Sequence, residues 1–454
     1  MELAVASVSD QEVGLLDELP LSRYQAAALL MIAATVILDG LDNQMLGLAA
    51  PALLKEWGIA KSALGNVFAL GFVGMGVGTL LSGWIGDRYG RRWALLIGVF
   101  VFGVATLASG HAASVAQIAM FKTVAGIGLG GVPGTAAAMI AEFTPKRWRS
   151  LAVTFGVVCV SLGGLLGGGI ATLILPALGW RALFYCGGGA TLGFVLLMLA
   201  ALPESPRYLA ELPDRRAELE AMLRRIGHPA PDFDPRAVRT QPAPTKVPMA
   251  TLFSADLIRD TLALSAAMLS GMFLIYLMFN WAPTMLASAG FELGSASLGL
   301  TAFNLGGTVG AIAAAAVVLR CGSRAPLIVM ALVGAGLCAF LATLPIADAH
   351  NLEPLLIGLC GLGLFGSAAQ SAMFSVGTHA FPTAVRARGM GVMGAAGRVG
   401  ALLSALIGAA LIGAGSLGFF GALCFLMLVN AAGFVAVRNH VPPAPRDARV
   451  PALV

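Results

Sequence analysis

Long apolar runs separated by short polar connections dominate the chain. A helix crosses the hydrocarbon core of a bilayer with about 20 mostly apolar residues. Runs near 24–50, 62–86, 93–110, 115–142, 150–176, 181–202, 258–289, 296–319, 325–346, 353–380, 387–413 and 416–437 meet that requirement. They predict an all-α membrane protein with twelve transmembrane helices. The one long polar stretch, 203–257, is rich in Arg, Glu, Asp and Pro and reads as a linker between a first six-helix half, 24–202, and a second, 258–437. Within it, Asp214–Ile226 has the pattern of a short amphipathic helix. Segments 1–23 and 438–454 flank the halves.

Charge alternates along the connections. One set carries Arg88, Arg91, Arg92, Lys146, Arg147, Arg149, Arg320, Arg324, Arg386 and Arg388, while the opposite set holds only Lys55, Lys61 and Arg181. Basic loops stay on the cytoplasmic side, so the first set, the linker and both termini are expected in the cytoplasm, with the chain in a bacterial inner membrane. Residues 1–23 are acidic and polar, with Asp10, Glu12, Asp17 and Glu18, and lack the basic region of a secretory signal. The first helix is expected to be the membrane signal. An internal echo supports the division into halves: Pro145, Arg149 and Gly163 recur at one constant offset as Pro382, Arg386 and Gly400. Secondary transporters built from repeats bind substrate between the halves near the bilayer midplane.

Composition acts mainly by exclusion. The 454 residues are 58% hydrophobic and 11% charged, against about 25% charged in soluble domains. The 58 glycines suit close helix packing in lipid. A net charge of +5 without a clustered basic face gives no reason to expect nucleic acid. Cys159, Cys186, Cys321, Cys338, Cys360 and Cys424 lie in or beside apolar runs without metal-ligand spacing, and read as buried packing residues. The glycine runs lie inside apolar helices rather than in a phosphate-cradling turn. No enzyme chemistry and no cofactor are expected.

The connection between spans two and three reads Gly83-Trp-Ile-Gly-Asp87-Arg88-Tyr-Gly90-Arg91-Arg92. Its glycines permit close helix approach, and Asp87 at a helix end can pair with a cation or a facing helix start. This loop resembles the signature of the major facilitator superfamily, which implies a latch for one state of an alternating-access cycle. The alternative is a topology signal alone. The equivalent second-half loop, Arg320-Cys-Gly-Ser-Arg324, has lost the acid. Glu142 beside the basic loop, and Arg386 in the repeat, are expected in the same gate.

The first span contains Asp39-Gly40-Leu41-Asp42-Asn43-Gln44, followed by Pro51. Each acid costs about 2.5–3.5 kcal/mol inside an apolar helix and so marks an ion or substrate path. A desolvated carboxyl takes up a proton readily, making either acid a candidate proton carrier. Residues 39, 42 and 43 are expected on one face. The alternative for Asp42 is a pairing with a cation on another helix. Asp-Gly-Leu-Asp followed by Ala-Ala-Pro-Ala resembles the aromatic acid:proton symporters, the 4-hydroxybenzoate and related transporters of that superfamily. The likeness continues through Gly126-Ile-Gly-Leu-Gly-Gly131, Glu142-Phe-Thr-Pro-Lys-Arg147, Gly179-Trp-Arg-Ala182, Pro203-Glu-Ser-Pro-Arg207, Asn304-Leu-Gly-Gly307 and Phe381-Pro-Thr-Ala-Val-Arg386.

The resemblance implies proton-coupled uptake of a small aromatic carboxylate. Other organic anions, a sugar and a transporter-like membrane sensor remain as alternatives. Lys122 in span four stands where members with this motif usually carry arginine, a position with a part in proton coupling or anion binding. Counted from the predicted helix ends, Lys122 lies about 12 Å deep and Asp39 about 16 Å, so they could pair. Alternatively, Lys122 snorkels to the interface. Arg398, about 18 Å into span eleven, is the first choice for gripping a carboxylate with its planar fork, or else it pairs with Glu142 or an acid of span one. Asn43, Tyr276, Asn280 and Trp281 are candidate lining residues, as are Ser367, Gln370, Ser371 and Phe374, spaced to share one stripe. His379 reads as a loop histidine. The monomer is expected to be functional, with the lipid bilayer and the aromatic acid as its partners.

Overall fold

The computed structural model describes residues 20–227, 248–345, 351–382 and 385–443. Most of segments 1–23 and 438–454, residues 228–247 of the linker, and Thr383 and Ala384 lie outside the described residues. Every regular element described is helical. The first half holds α1 (Arg23–Trp57), α2 (Lys61–Tyr89), α3 (Arg91–Ser109) and α4 (Val115–Phe143). It then has a continuous stretch, Lys146–Ala201, that turns at Gly179 with φ 77° and ψ 177°, giving α5 (146–178) and α6 (180–201). That backbone conformation strains any residue with a Cβ, which accounts for the glycine. The linker contributes α7 (Pro206–Ala210) and α8 (Arg216–Ile226). The second half holds α9 (Ile258–Ser288), α10 (Leu293–Cys321), α11 (Arg324–Thr343), α12 (Leu352–Ala380), α13 (Arg386–Gly413) and α14 (Gly415–Ala436).

Among the described residues eleven stretches are long and apolar enough to cross a membrane, and one of them, Lys146–Ala210, contains the turn at Gly179. The chain therefore has the twelve spans that its apolar runs predict: α1–α6 and α9–α14. α1 departs most from its predicted bounds. A reciprocal capping box between Ser22 and Gln25 starts it, and it passes Pro51 to end at Gly58 in the left-handed region. The linker helix forms as its pattern predicts, with Leu219, Met222, Leu223 and Ile226 buried.

Within each half, α2 packs on α4 and α10 on α12, while α3 and α11 lie against α4 and α14. The echoed glycines sit at equivalent contacts. A Cβ on Gly163 of α5 would strike the Ile37 carbonyl of α1, and one on Gly400 of α13 would strike the Leu269 carbonyl of α9. The halves meet where α1 faces α9, α2 faces α13 and α5 faces α10. Two faces of the bundle can be distinguished: a basic face carrying Arg88, Arg91, Arg92 and Lys146, and a far face carrying Lys55, Lys61 and Arg181. The expectation of six buried cysteines is corrected: Cys159 and Cys338 are buried, whereas Cys186 and Cys321 are exposed on the helix surface. In a lipid-facing surface an apolar side chain has no need of a core.

Candidate functional site

Midway along the seam lies a cavity of about 310 Å³, at the lower end of the size range of small-molecule sites. α1 contributes Asp39 and Asn43, and α9 contributes Met268, Met272, Ile275, Tyr276 and Phe279. Ser367, Gln370, Ser371 and Phe374 come from α12, and Arg398 from α13. The remaining wall is Met75, Pro133, Val157, Val160 and Ser161, with Gly394 and Gly397 beside Arg398. Both halves therefore build the site. The predicted stripe of α12 faces the cavity as a unit.

Asp39 is 2% exposed, and its Oδ1 has no hydrogen-bond partner. Arg398 shares the wall and donates to Thr79 Oγ1 at 3.3 Å. No ion pair joins Arg398 to Glu142 or to an acid of α1 within 4.0 Å among the described residues. A guanidinium that spends one bond on a neutral hydroxyl keeps the rest of its fork available. Asn43 Nδ2 lies 3.5 Å from the Tyr276 hydroxyl, and the Tyr276 ring stacks edge-on with Phe72 and Phe279. Gln370 donates to Met268 Sδ at 2.9 Å, while its Oε1 is buried without a partner.

The two acids of α1 separate, which corrects the expectation of a shared face. At about 100° per residue, position 43 lies about 40° from position 39 on one side and position 42 about 60° on the other. Asp39 and Asn43 reach the cavity, whereas Asp42 turns toward α3 and α4. There it accepts from the Thr106 hydroxyl and pairs with Lys122, whose Nζ lies 3.4 Å from Oδ2 and 3.2 Å from the Asp42 carbonyl oxygen. Asp42 is 3% exposed, so a charge there needs such partners. Lys122 thus pairs with Asp42 rather than Asp39 and does not line the cavity. The depth estimate misled because rotation about α1, and not distance from a helix end, selects which acid faces α4.

Asn280 and Trp281 also lie off the cavity wall. Trp281 is fully buried, donates to the Ser404 carbonyl at 3.1 Å and packs edge-on against Phe68. Asn280 is buried where α1 crosses α9, its Nδ2 unpaired. It shares a face with Tyr276, but lies one turn, about 6 Å, nearer the far end.

That end is closed. A Cβ on Gly47 would strike the Phe279 carbonyl, so α1 and α9 touch backbone to backbone. Beside them, Gln44 and Asn304 exchange two hydrogen bonds of 3.2 and 2.7 Å, both side chains almost fully buried. The cross-half amide pair and Thr79 were missed from the sequence. Two polar side chains in apolar helices were its only trace.

The basic-face residues gather within their own half. Arg91 pairs with Asp87 at 3.5 Å and lies 4.0 Å from Glu142, which accepts from the Ser205 hydroxyl. The Arg92 amide donates to Glu204 and its guanidinium to the Leu199 carbonyl; Tyr208 donates to the Arg88 carbonyl. Asp87 is 81% exposed. Arg386 donates to the Phe381 carbonyl at 3.3 Å, and His379 is exposed at the end of α12. Where the first half braces its loop with Glu204, the second uses the segment after α14. The Val441 amide and His440 bond Ser323, while Asp260 accepts from the Arg438 amide and Asn439.

A family model described as sugar (and other) transporter matches residues 22–442. The chain is 32% identical to the 4-hydroxybenzoate transporter PcaK of Acinetobacter baylyi, covering 93% of this chain and 92% of that protein. It is 33% identical to a gallate transporter of Pseudomonas putida, covering 91% and 90%. Among solved structures, a D-xylose-proton symporter superposes with a TM-score of 0.67 at 19% identity, covering 94% of this chain and 99% of that one. An inward-facing, unoccupied bacterial homolog of the human lysosomal transporter Spinster gives 0.64 at 16%, covering 92% and 98%. These two structures establish likeness of fold.

Proposed function

The chain belongs to the sugar (and other) transporter family of the major facilitator superfamily, and from that premise we propose that it carries a small aromatic carboxylate of the hydroxybenzoate kind inward with protons. One observation carries this reading. A buried carboxylate with an unpartnered oxygen, Asp39, and an arginine, Arg398, share a cavity wall with the rings of Tyr276, Phe279 and Phe374. An aromatic carboxylate complements that wall with an anion for the guanidinium fork and a ring for edge-to-face packing. Concentrative uptake of an anion needs a coupling ion, and an acid inside a membrane-spanning helix is suited to carry a proton.

The positive-inside rule favours the basic face on the cytoplasmic side, and the bacterial relatives support a bacterial inner membrane as the site. In that orientation the closed far end faces outward and the state described is the one that releases substrate. The cycle begins with the far end open, Asp39 protonated and the substrate carboxylate on Arg398. Gln370, Ser371 and the Asn43–Tyr276 pair offer partners to ring hydroxyls. The halves then rock, the basic end opens, and Asp39 returns its proton to cytoplasmic water. Asp42 and Lys122 remain a fixed pair that holds α1 against α4. Asp87, Arg88, Arg91, Arg92, Glu142 and Arg386 form the gate of the basic end. Asp87, exposed in this state, is available to the second half when that end closes.

Uptake of radiolabelled 4-hydroxybenzoate in cells expressing the protein tests the reading, with gallate, benzoate, sugars and dicarboxylates as competitors. Aromatic acids alone should compete, an uncoupler should abolish concentrative uptake, and Asp39→Asn should lose accumulation while keeping exchange. Accumulation that survives collapse of the proton gradient, or competition by sugars alone, would sink it.

A further inference from the structure

A second cavity, of about 850 Å³, opens on the far face along the same seam. The ends of α1 and α5 and the start of α2 form one wall, and the end of α9 and the start of α10 the other. Lys55 and Lys61 line it, and neither has a carboxylate within 4.0 Å among the described residues. Arg181, on the same face, is by contrast paired with Glu56 at 2.7 Å. Glu292 is the one acid among the lining residues.

Two helices begin at this cavity, α2 after Ala60 and α10 after Glu292, and neither cap residue makes a side-chain cap hydrogen bond. Their first-turn N–H groups add partial positive charge. Independently, Thr284 on the wall is 1% exposed and its hydroxyl has no hydrogen-bond partner. Five residues before it on α9, about 7.5 Å along the axis, Phe279 lines the central cavity. Between the two spaces stand the Gly47 contact, the Gln44–Asn304 pair and the apolar side chains packed around them, Leu48, Leu286 and Leu300 among them.

We propose that the far-face cavity is an outer anion site, where Lys55 and Lys61 hold the carboxylate of an aromatic acid before the seam opens and passes it to Arg398. This rests on the carrier function proposed above. Unpaired cations in a cleft with low-dielectric walls concentrate anions and speed their capture. The site takes its ligand from water, so its grip weakens with salt. Glu292 opposes the ligand's charge and keeps the hold weak enough for onward transfer.

The test is radiolabelled 4-hydroxybenzoate uptake by the full-length protein in proteoliposomes under a proton gradient, at low and high ionic strength. Replacing both lysines (Lys55→Gln with Lys61→Gln) should raise KM about fivefold, leave kcat within about twofold and flatten the salt dependence. Lys55→Arg with Lys61→Arg should retain the wild-type KM, and Glu292→Gln should lower it. A glutamine double variant with wild-type KM and salt response, or an Glu292→Gln protein with unchanged KM, overturns the outer site and leaves the carrier reading standing. Wild-type protein that takes up no aromatic carboxylate overturns both.

Discussion

At the far end of the seam the halves share one apolar core, in which Leu48, Leu53 and Leu64 of the first half join Leu277, Phe303 and Ala405 of the second. At the basic end the core divides. Ile32, Leu129 and Ile140 belong to a cluster of the first half and linker, and Leu264, Met373 and Val376 to one of the second half with Leu252 of the linker. The polar groups divide the same way. The far end uses a neutral amide pair across the seam, whereas the charges of Asp87, Arg91 and Glu142 are satisfied within one half. A dry, close-packed interface excludes water and favours small residues and neutral partners. An interface that stands open must keep its charges solvated or paired locally, because an unpaired buried charge is far more costly than a lost contact. Alternating access then amounts to exchanging one packed end for the other.

The strongest way to break this contrast is to wedge the packed end. Gly47→Val would place a side chain against the α9 backbone, and overpacking of this kind costs about 1–3 kcal/mol. Uptake should fall by about tenfold or more, with a cysteine at Ile275 becoming reactive to impermeant maleimide from the far face. Protection unchanged from wild type would show that this contact does not close the seam.

Removing the amide pair should act more gently. Gln44→Leu takes both exchanged hydrogen bonds from the buried Asn304 amide and leaves it the bond to the Leu300 carbonyl, a cost of about 1 kcal/mol or more, and should shift the population toward the far-open state roughly fivefold. The Gln44→Leu/Asn304→Leu protein should recover most of that loss, as measured by the same labelling in a double-mutant cycle. Additive effects would mean the two amides act separately.

The smallest effect belongs to the basic end. Asp87→Asn touches an exposed carboxylate whose ion-pair partner Arg91 is 3.5 Å away, so the thermal stability of the described state should change by less than about 0.5 kcal/mol. If Asp87 latches the basic end as proposed, transport should nonetheless fall. Unaltered transport would reduce the loop to a topology signal.

The spans were legible because hydrocarbon admits no other backbone arrangement than a fully hydrogen-bonded helix or closed barrel, and a run of apolar residues records that requirement locally. The polar exceptions were legible as exceptions. Asp39, Asp42, Lys122 and Arg398 stand out in any reading of the sequence, yet their partners do not. Asp42 and Asp39 are three residues apart and about 60° apart on the helix, and only the packing of α3 and α4 against one side decides which acid is neutralised and which reaches the cavity. Trp281 likewise reads as lining from its neighbours Tyr276 and Asn280, but it fills the far-end core.

By itself, then, the sequence determined the solvent, the number of spans, the echo between halves and the small set of ionisable groups that must have a purpose. Those properties follow from transfer free energies and helical period, which act residue by residue. The tertiary structure decided which acid meets which cation, which end of the seam is shut, and that Lys55 and Lys61, mere entries in a charge count, flank a cavity above the closed gate. These depend on rotation, register and contact between helices hundreds of residues apart, and no local pattern encodes them.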